Sequence, residues 1–204
     1  MTILERVLHK ASLYNFSRQL IGASKEMSLL VDRTITGRPI HRVLDFGCGN
    51  GRLVPYLPNV EYVGVDNNPH YIDAATAEHA AASATFICAD LNDLEALGIP
   101  HFDAVISLGV LHHLPDEVAE RALAAAVDLL NPGGSLITMD PCFHPDQSSV
   151  ARVLMAMDRG RFVRHPNDYR RLVETAGLTV EQQIWSDVYK FPYTHCVQVA
   201  AVPA

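Results

Sequence analysis

Short apolar runs alternate along this chain with longer stretches in which apolar positions recur at helical spacing. Arg42 to Phe46, Tyr62 to Val65, Thr85 to Cys88, Asp103 to Leu108 and Leu136 to Met139 are runs of strand length bounded by turn residues. Between them, Pro69 to Ala82 and Pro115 to Leu130 read as helices. The first has Pro69 in its opening turn, and the second carries Val118, Leu123, Val127 and Leu130 inward. Gly51 to Leu57 reads as a short helix stopped near Pro58, and Asn131-Pro132-Gly133-Gly134 as a sharp turn. Strands separated by helices in this way predict an α/β sheet covered on both faces.

The flanks add to this core. Residues 3–36 read as helical in two pieces around Gly22, with Leu4, Val7, Leu8 and Ala11 in one and Met27, Leu30, Val31 and Ile35 in the other. Gly37-Arg38-Pro39 closes a helical cap over residues 1–38. After Asp140 the pattern changes to a polar loop, a helix from Ser149 to Met157 and a second helix capped by Asn167 or Asp168 and ended by Gly177. Leu178 to Trp185 and His195 to Ala201 read as closing strands. Residues 141–176 thus read as an insertion at the carboxyl edge of the sheet, where substrate pockets form. The 204 residues suit one domain with a full core.

Charge narrows the partners. Lys and Arg number 16 against 23 acidic residues, a formal charge of -7 that argues against a generic polyanion binder. A basic cluster from Arg152 to Arg171 is the local exception. Cys48, Cys88, Cys142 and Cys196 are scattered, with neither metal-ligand spacing nor a disulfide framework. No run reaches membrane-spanning length and the start lacks a signal-type apolar core, so a soluble cytoplasmic protein is expected, as monomer or homodimer.

The chemistry concentrates at strand ends. The first apolar strand runs into Asp45-Phe46-Gly47-Cys48-Gly49-Asn50-Gly51, and the second ends at Asp66, 21 positions after Asp45. Gly47 suits a tight turn, Gly49 a close backbone approach to a ligand and Gly51 close packing against the sheet. Asp66 is placed to accept both hydroxyls of a ribose, or to cap a helix. Asp90, after the third strand, is placed to accept from an adenine amino group or to open a turn. His112 and His113 follow the fourth strand and Gly109. Adjacent residues point in different directions and nothing completes a metal set, so His113 reads either as a general base or as a structural imidazole, with the other histidine satisfying backbone groups.

These segments, in order from residue 40 to 140, resemble the class I S-adenosylmethionine-dependent methyltransferases. The resemblance rests on Leu44 to Gly51, Asp66, Ala89-Asp90, Phe102 to Ile106, Gly109 to Leu114 and Leu130 to Gly134. It implies a Rossmann-like, seven-stranded, mostly parallel sheet with helices on both faces and an antiparallel last strand. It implies that Asp66 binds ribose, with Asn67 and Asn68 beside the adenosine, and that Asp90 reads adenine between Ala89 and Leu91. The loop from Asp45 through Cys48 to Gly51 would approach the methionine portion, with Ser107, Leu108 and Gly109 also holding it. The cofactor would be S-adenosylmethionine and the product S-adenosylhomocysteine. An NAD-dependent oxidoreductase is the nearest rival, and the Asp45-x-Gly-x-Gly-x-Gly order fits methyl transfer better. A non-catalytic protein that binds the same cofactor stays open.

The later segments, from Asp140-Pro141-Cys142-Phe143 through Met157-Asp158-Arg159-Gly160 to Tyr193-Thr194-His195, resemble a bacterial small-molecule subgroup. A small-molecule or carrier-linked acceptor is therefore expected, its accepting atom oxygen, nitrogen or carbon. Asp140 ends the fifth strand and is the first candidate base, ahead of His113, His144 and His195. Tyr14, with Phe16 and Gln19, would fold over the site, Arg159 and Arg164 would meet an anionic acceptor group, and Tyr169 would line the pocket. An RNA methyltransferase is the alternative. Ser107-Leu108-Gly109-Val110 stands where an Asp/Asn-Pro-Pro-aromatic motif would favour it, and the acidic balance also argues against nucleic acid.

Overall fold

In the computed structural model the chain is described over residues 23–90, 93, 96, 98–156, 160–186, 188–189 and 192–201. Tyr14, Phe16, Gln19, Leu91 and Arg159 lie outside the described residues, as does the first half of the expected helical cap. The elements are α1 (Ala23–Thr34), β1 (Arg42–Phe46), β2 (Glu61–Asp66), α2 (Pro69–Glu78), β3 (Ala84–Cys88), β4 (Phe102–Leu108) and α3 (Asp116–Asp128). They continue with β5 (Leu130–Pro141), α4 (Ser149–Ala156), α5 (Pro166–Thr175), β6 (Thr179–Trp185) and β7 (His195–Ala201).

The strands form one seven-stranded sheet in the order β3-β2-β1-β4-β5-β7-β6. Neighbours are parallel except β7, which runs antiparallel to both β5 and β6. After β1 the chain steps outward through β2 and β3, then returns to β4 on the other side of β1. The loops leaving β1 and β4 therefore diverge, and the crevice above their carboxyl ends is where such sheets take ligands.

Strand alternation divides the core into two layers. Leu44, Phe46, Val63, Val105 and Leu136 face one side, packed with Ala119 and Leu123 of α3 and Leu172 and Val173 of α5. Val43, Tyr62, Ile106, Ile137 and Met139 face the other, packed with Met27 and Leu30 of α1 and Ile72 of α2. Helix α5 packs on β6 and α3, so part of the stretch expected to be an insertion is an ordinary sheet-covering helix.

Three local expectations change. The helix expected over Gly51 to Leu57 is a set of tight turns ending in a 3-10 turn at Val54–Tyr56. Val54 N–H reaches Gly51 O at 3.1 Å and Leu57 N–H reaches Val54 O at 3.1 Å, because Pro55 and Pro58 leave too few amides for an α-helical ladder. The Asn131–Gly134 turn lies inside β5 as a bulge: Phe102 pairs with Leu130, but Ala104 pairs with Ser135. Asp103 anchors it. Against the effect of burial, bonds from the His41 and Arg42 amides and from Asn131 Nδ2 (2.9 Å) hold the Asp103 carboxyl below its ordinary range. Helix α5 is capped two or three residues earlier than expected, by His165 in place of Asn167 or Asp168, with Pro166 in the first turn.

Candidate functional site

The turn after β1 is tied to β2 before it meets any ligand. The amides of Gly47 and Cys48 both donate to Val65 O, at 2.7 and 3.1 Å. Gly47, Gly49 and Gly51 all hold positive φ, of 73°, 54° and 74°, so the loop curls in a conformation that L side chains resist. Among the described residues a Cβ on Gly49 would meet nothing within 4 Å, which leaves open space beside this backbone.

Asp66, the last residue of β2, joins this loop to the next helix. Its Oδ2 accepts from Gly49 N–H at 2.9 Å and its Oδ1 from Asn68 N–H at 2.9 Å. Asn68 in turn caps α2 by accepting from His70 N–H at 3.0 Å. Each Asp66 oxygen retains a second lone pair for a ligand hydroxyl. Beyond it, Ala89 N–H donates to Asp66 O at 3.1 Å, and Asp90, exposed, opens a turn closed by Asp93 N–H.

A cavity of about 400 Å³ lies against the glycine loop, with Met27, Asp45, Cys48 and Leu108 among its walls. Asp45 is 3% exposed. Its Oδ2 accepts from the Tyr62 hydroxyl at 2.5 Å, while its Oδ1 has no hydrogen-bond partner among the described residues. Burial pushes the Asp45 carboxyl up to about 6, with the Tyr62 bond and the charge of Arg52 pulling the other way. Burial also pushes the Cys48 thiol well above its ordinary range, which makes it an inert wall rather than a nucleophile. A buried carboxylate with one unpaired oxygen, an open glycine backbone and a second carboxylate with spare lone pairs fit a ligand that carries a cationic group and vicinal hydroxyls.

Asp140 faces the other way. It alternates with Leu136 and Cys142, so its side chain enters the layer of α3 and α5. Its Oδ1 accepts from the His112 backbone amide at 3.1 Å and meets His112 Nδ1 at 2.8 Å. His113 is exposed and its ring lies tilted against that of His112, with centroids 4.0 Å apart. The geometry therefore engages the first histidine of the pair where the residue pattern favoured the second. No local signal separates them: the acid that selects His112 lies 28 positions away.

Residues 43–134 match a family model described as a methyltransferase domain, covering the glycine loop, Asp66, Asp90, both histidines and the β5 bulge. Over those residues the chain is similar to methyltransferases. It is 26% identical over 119 residues to an uncharacterized methyltransferase of Oceanobacillus iheyensis, across 58% of this chain and 55% of that protein. It is 28% identical over 165 residues to the trans-aconitate 2-methyltransferase of Mycobacterium tuberculosis, across 72% of this chain and 59% of that protein. The chain thus spans a little over half the length of these two relatives. Among solved structures, magnesium protoporphyrin IX methyltransferase from Synechocystis, with bound S-adenosylhomocysteine, superposes with a TM-score of 0.66. That match covers 100% of this chain and 89% of the other at 19% identity, which is a statement about fold.

Within this methyltransferase fold, two expected acceptor residues have structural duties instead. Arg164 is buried and all five of its N–H donors are used within the chain. Nε and one Nη2 donor reach Asp116 Oδ1 at 2.8 and 2.7 Å, the other Nη2 donor reaches Leu114 O at 2.6 Å, and Nη1 reaches Leu111 O and Phe162 O at 2.7 and 3.1 Å. It clamps the segment before α5 to the turn that holds His112, and no donor is left for an acceptor's anion. Tyr169, 1% exposed, donates to Pro141 O at 3.0 Å and is likewise a core strut. His144 sits in the loop after β5, its Nδ1 accepting from Asp146 N–H at 3.3 Å.

His195 opens β7 opposite Pro141, on the same side of the sheet as the Asp45 cavity. Glu26 of α1 approaches it, with 3.9 Å between Glu26 Oε1 and His195 Nε2. Nothing in the sequence singled out Glu26, which reads as an ordinary acid in the first turn of a helix. Among the described residues no helix is long and apolar enough to cross a membrane.

Proposed function

We propose that this chain binds S-adenosylmethionine over the carboxyl ends of β1 and β4 and transfers its methyl group to a small-molecule or carrier-linked acceptor. The observation that carries the reading is the pairing of Asp66, bonded to the Gly49 and Asn68 amides, with Asp45, buried on the cavity wall with one oxygen unpaired. The relatives' names support the reaction class, and the net charge of -7 favours a small acceptor over RNA.

When bound, the cofactor supplies an activated methyl group. Asp66 would take the ribose hydroxyls, with Asn67 and Asn68 alongside, and Ala89, Asp90 and Leu91 would bound the adenine. Asp45 would meet the cationic methionine end, and Gly47, Cys48, Gly49 and Gly51 would bring the loop backbone against it. Backbone at Ser107, Leu108 and Gly109 would close the far side. Alignment in a preorganised site supplies much of such catalysis. Where the acceptor loses a proton, His112 oriented by Asp140 is the group we assign to take it: Asp140 Oδ1 holds the Nδ1 side of the ring.

Calorimetry on protein stripped of cofactor tests the reading, with S-adenosylmethionine, S-adenosylhomocysteine and NAD as ligands. Selective binding of the two sulfur compounds, followed by S-adenosylhomocysteine release in an acceptor screen, is the expected result. Binding of NAD alone overturns it. Cofactor binding without turnover against any acceptor class would favour a non-catalytic binding protein.

A further inference from the structure

Glu26 is the buried acid that the reading above does not use. It lies in the first turn of α1 and is 7% exposed. Its Oε2 has no hydrogen-bond partner among the described residues. Its Oε1 stands 3.9 Å from His195 Nε2, beyond hydrogen-bond reach. A carboxylate taken out of water normally gains donors in exchange, so the unpaired oxygen marks a place for a donor that comes from elsewhere.

The surroundings say where that place is and what it accepts. Met27, the next residue, lines the cavity beside Asp45 and Leu108. Helix α1 thus carries Glu26 one position from the cavity wall, without Glu26 itself lining it. Around His195 stand Tyr189 and Tyr193, their ring centroids 5.3 and 5.0 Å from the imidazole and 5.7 Å from each other in an edge-on arrangement. Trp185 and Met155 pack in the same core layer. Aromatic rings around the imidazole that faces this carboxylate suit an aromatic ligand that brings its own hydrogen-bond donor.

Resting on the assignment of the neighbouring cavity to the cofactor, we propose that Glu26 and His195, walled by Tyr189 and Tyr193, form the acceptor subsite and that it takes an aromatic small molecule bearing a hydroxyl or amino group. Glu26 accepts the donor hydrogen of that group and orients it, while the tyrosines hold the ring. An acceptor presenting a carboxylate or phosphate at this point meets a like charge and is rejected. Arg164, the cation once expected to meet such an anion, is committed to Asp116 and three carbonyls.

The test uses the full chain saturated with S-adenosylhomocysteine and four probes, phenol, aniline, benzoate and phenyl phosphate, read by saturation-transfer NMR and by the ring proton signals of His195, assigned with His195→Gln. Phenol and aniline should bind and shift His195, and the two anions should not. Glu26→Gln should weaken aniline and phenol at least about tenfold and admit benzoate, since an amide offers a donor where the acid offered only acceptors. It should leave S-adenosylhomocysteine affinity within a few-fold. Equal binding of all four probes, binding of none, or an unchanged preference in folded Glu26→Gln overturns the proposal. Should the variant not fold, the wild-type preference and the His195 shifts decide alone. Failure of S-adenosylhomocysteine to bind wild-type protein would instead strike the cofactor reading, and is measured separately.

Discussion

Tyr62 donates its phenolic hydrogen to Asp45 Oδ2 across 2.5 Å, from β2 to the neighbouring β1. The bond supports the ionised form of an acid that burial otherwise pushes up to about 6. Removing it with Tyr62→Phe strips the second oxygen of Asp45 as well and moves its titration upward. Affinity for S-adenosylmethionine at pH 7 should fall about tenfold, the scale of one hydrogen bond to a charged group. Calorimetry at pH 6, 7 and 8 checks it: the deficit should shrink as pH rises. A constant deficit would place the effect in packing and not in the charge of Asp45.

The same shift ties stability to pH in the ligand-free protein. The Asp45 carboxyl has a folded pKa of about 6 against 3.8 when unperturbed. Because the folded value is raised, the stabilising contribution is fully present below the unfolded value and is lost as pH climbs through about 6. The loss amounts to about 3 kcal/mol at 1.36 kcal/mol per unit. Urea midpoints from pH 3.5 to 7.5 should therefore show a descending contribution in the wild type that is absent in Asp45→Asn. A cationic ligand should reverse it, so that cofactor affinity rises over the window in which apo stability falls. Parallel curves for the two proteins would refute the assignment.

What could be read from the residue pattern was the part that depends on local chemistry. The glycine loop, the second-strand acid and the alternation of strands and helices each follow from neighbours in sequence, and the seven strands and the antiparallel last strand agree with the family they suggested. The parts that were not legible depend on distant partners. Asp140 selects His112 over His113 across 28 positions. Arg164 is consumed by Asp116, 48 positions away, and by Leu111 and Leu114. An isolated arginine in a basic stretch carries no mark of that commitment. Nor does Glu26, which acquires meaning only when α1 sets it against His195 of the last strand.

Arg164 supplies the prediction that separates a structural cation from a substrate-binding one. Arg164→Lys keeps the charge, but offers three donors on one nitrogen where five are spread across a plane. It should cost about 2–3 kcal/mol of stability, as buried bonds to a charged group do. Cofactor affinity and the preference among acceptors should stay as they are. Denaturant midpoints and calorimetry check both halves, and a stable variant with altered acceptor preference would restore the role expected from the sequence.

Asp66 performs two tasks that a pair of substitutions can divide. Its carboxylate holds the Gly49 and Asn68 amides, and its remaining lone pairs are the ones assigned to the ribose. Asp66→Asn keeps one acceptor oxygen and loses the charge, while Asp66→Ala loses both. Cofactor affinity should fall about tenfold in the first and about a hundredfold in the second, in line with one and two such bonds. Hydrogen exchange at Gly49 and Asn68 should quicken in Asp66→Ala. Quickened exchange with unchanged affinity would leave Asp66 as a loop anchor and remove it from the ligand site.

Gly160 is held to glycine by contact. A Cβ there would lie 2.0 Å from His112 Cδ2 and 2.7 Å from His112 O. The same segment is pinned to that residue by Phe162 N–H, which donates to His112 O at 2.9 Å. Gly160→Ala must therefore push the imidazole off Asp140 or lift the 160–164 segment, an overpacking that costs about 1–3 kcal/mol. If His112 is the proton acceptor, turnover should drop at every pH while cofactor affinity holds, because Asp45, Asp66 and the glycine loop are untouched. A variant in which the His112 ring signals show the imidazole displaced from Asp140, yet turnover is full, would show that the Asp140–His112 pair serves the fold alone.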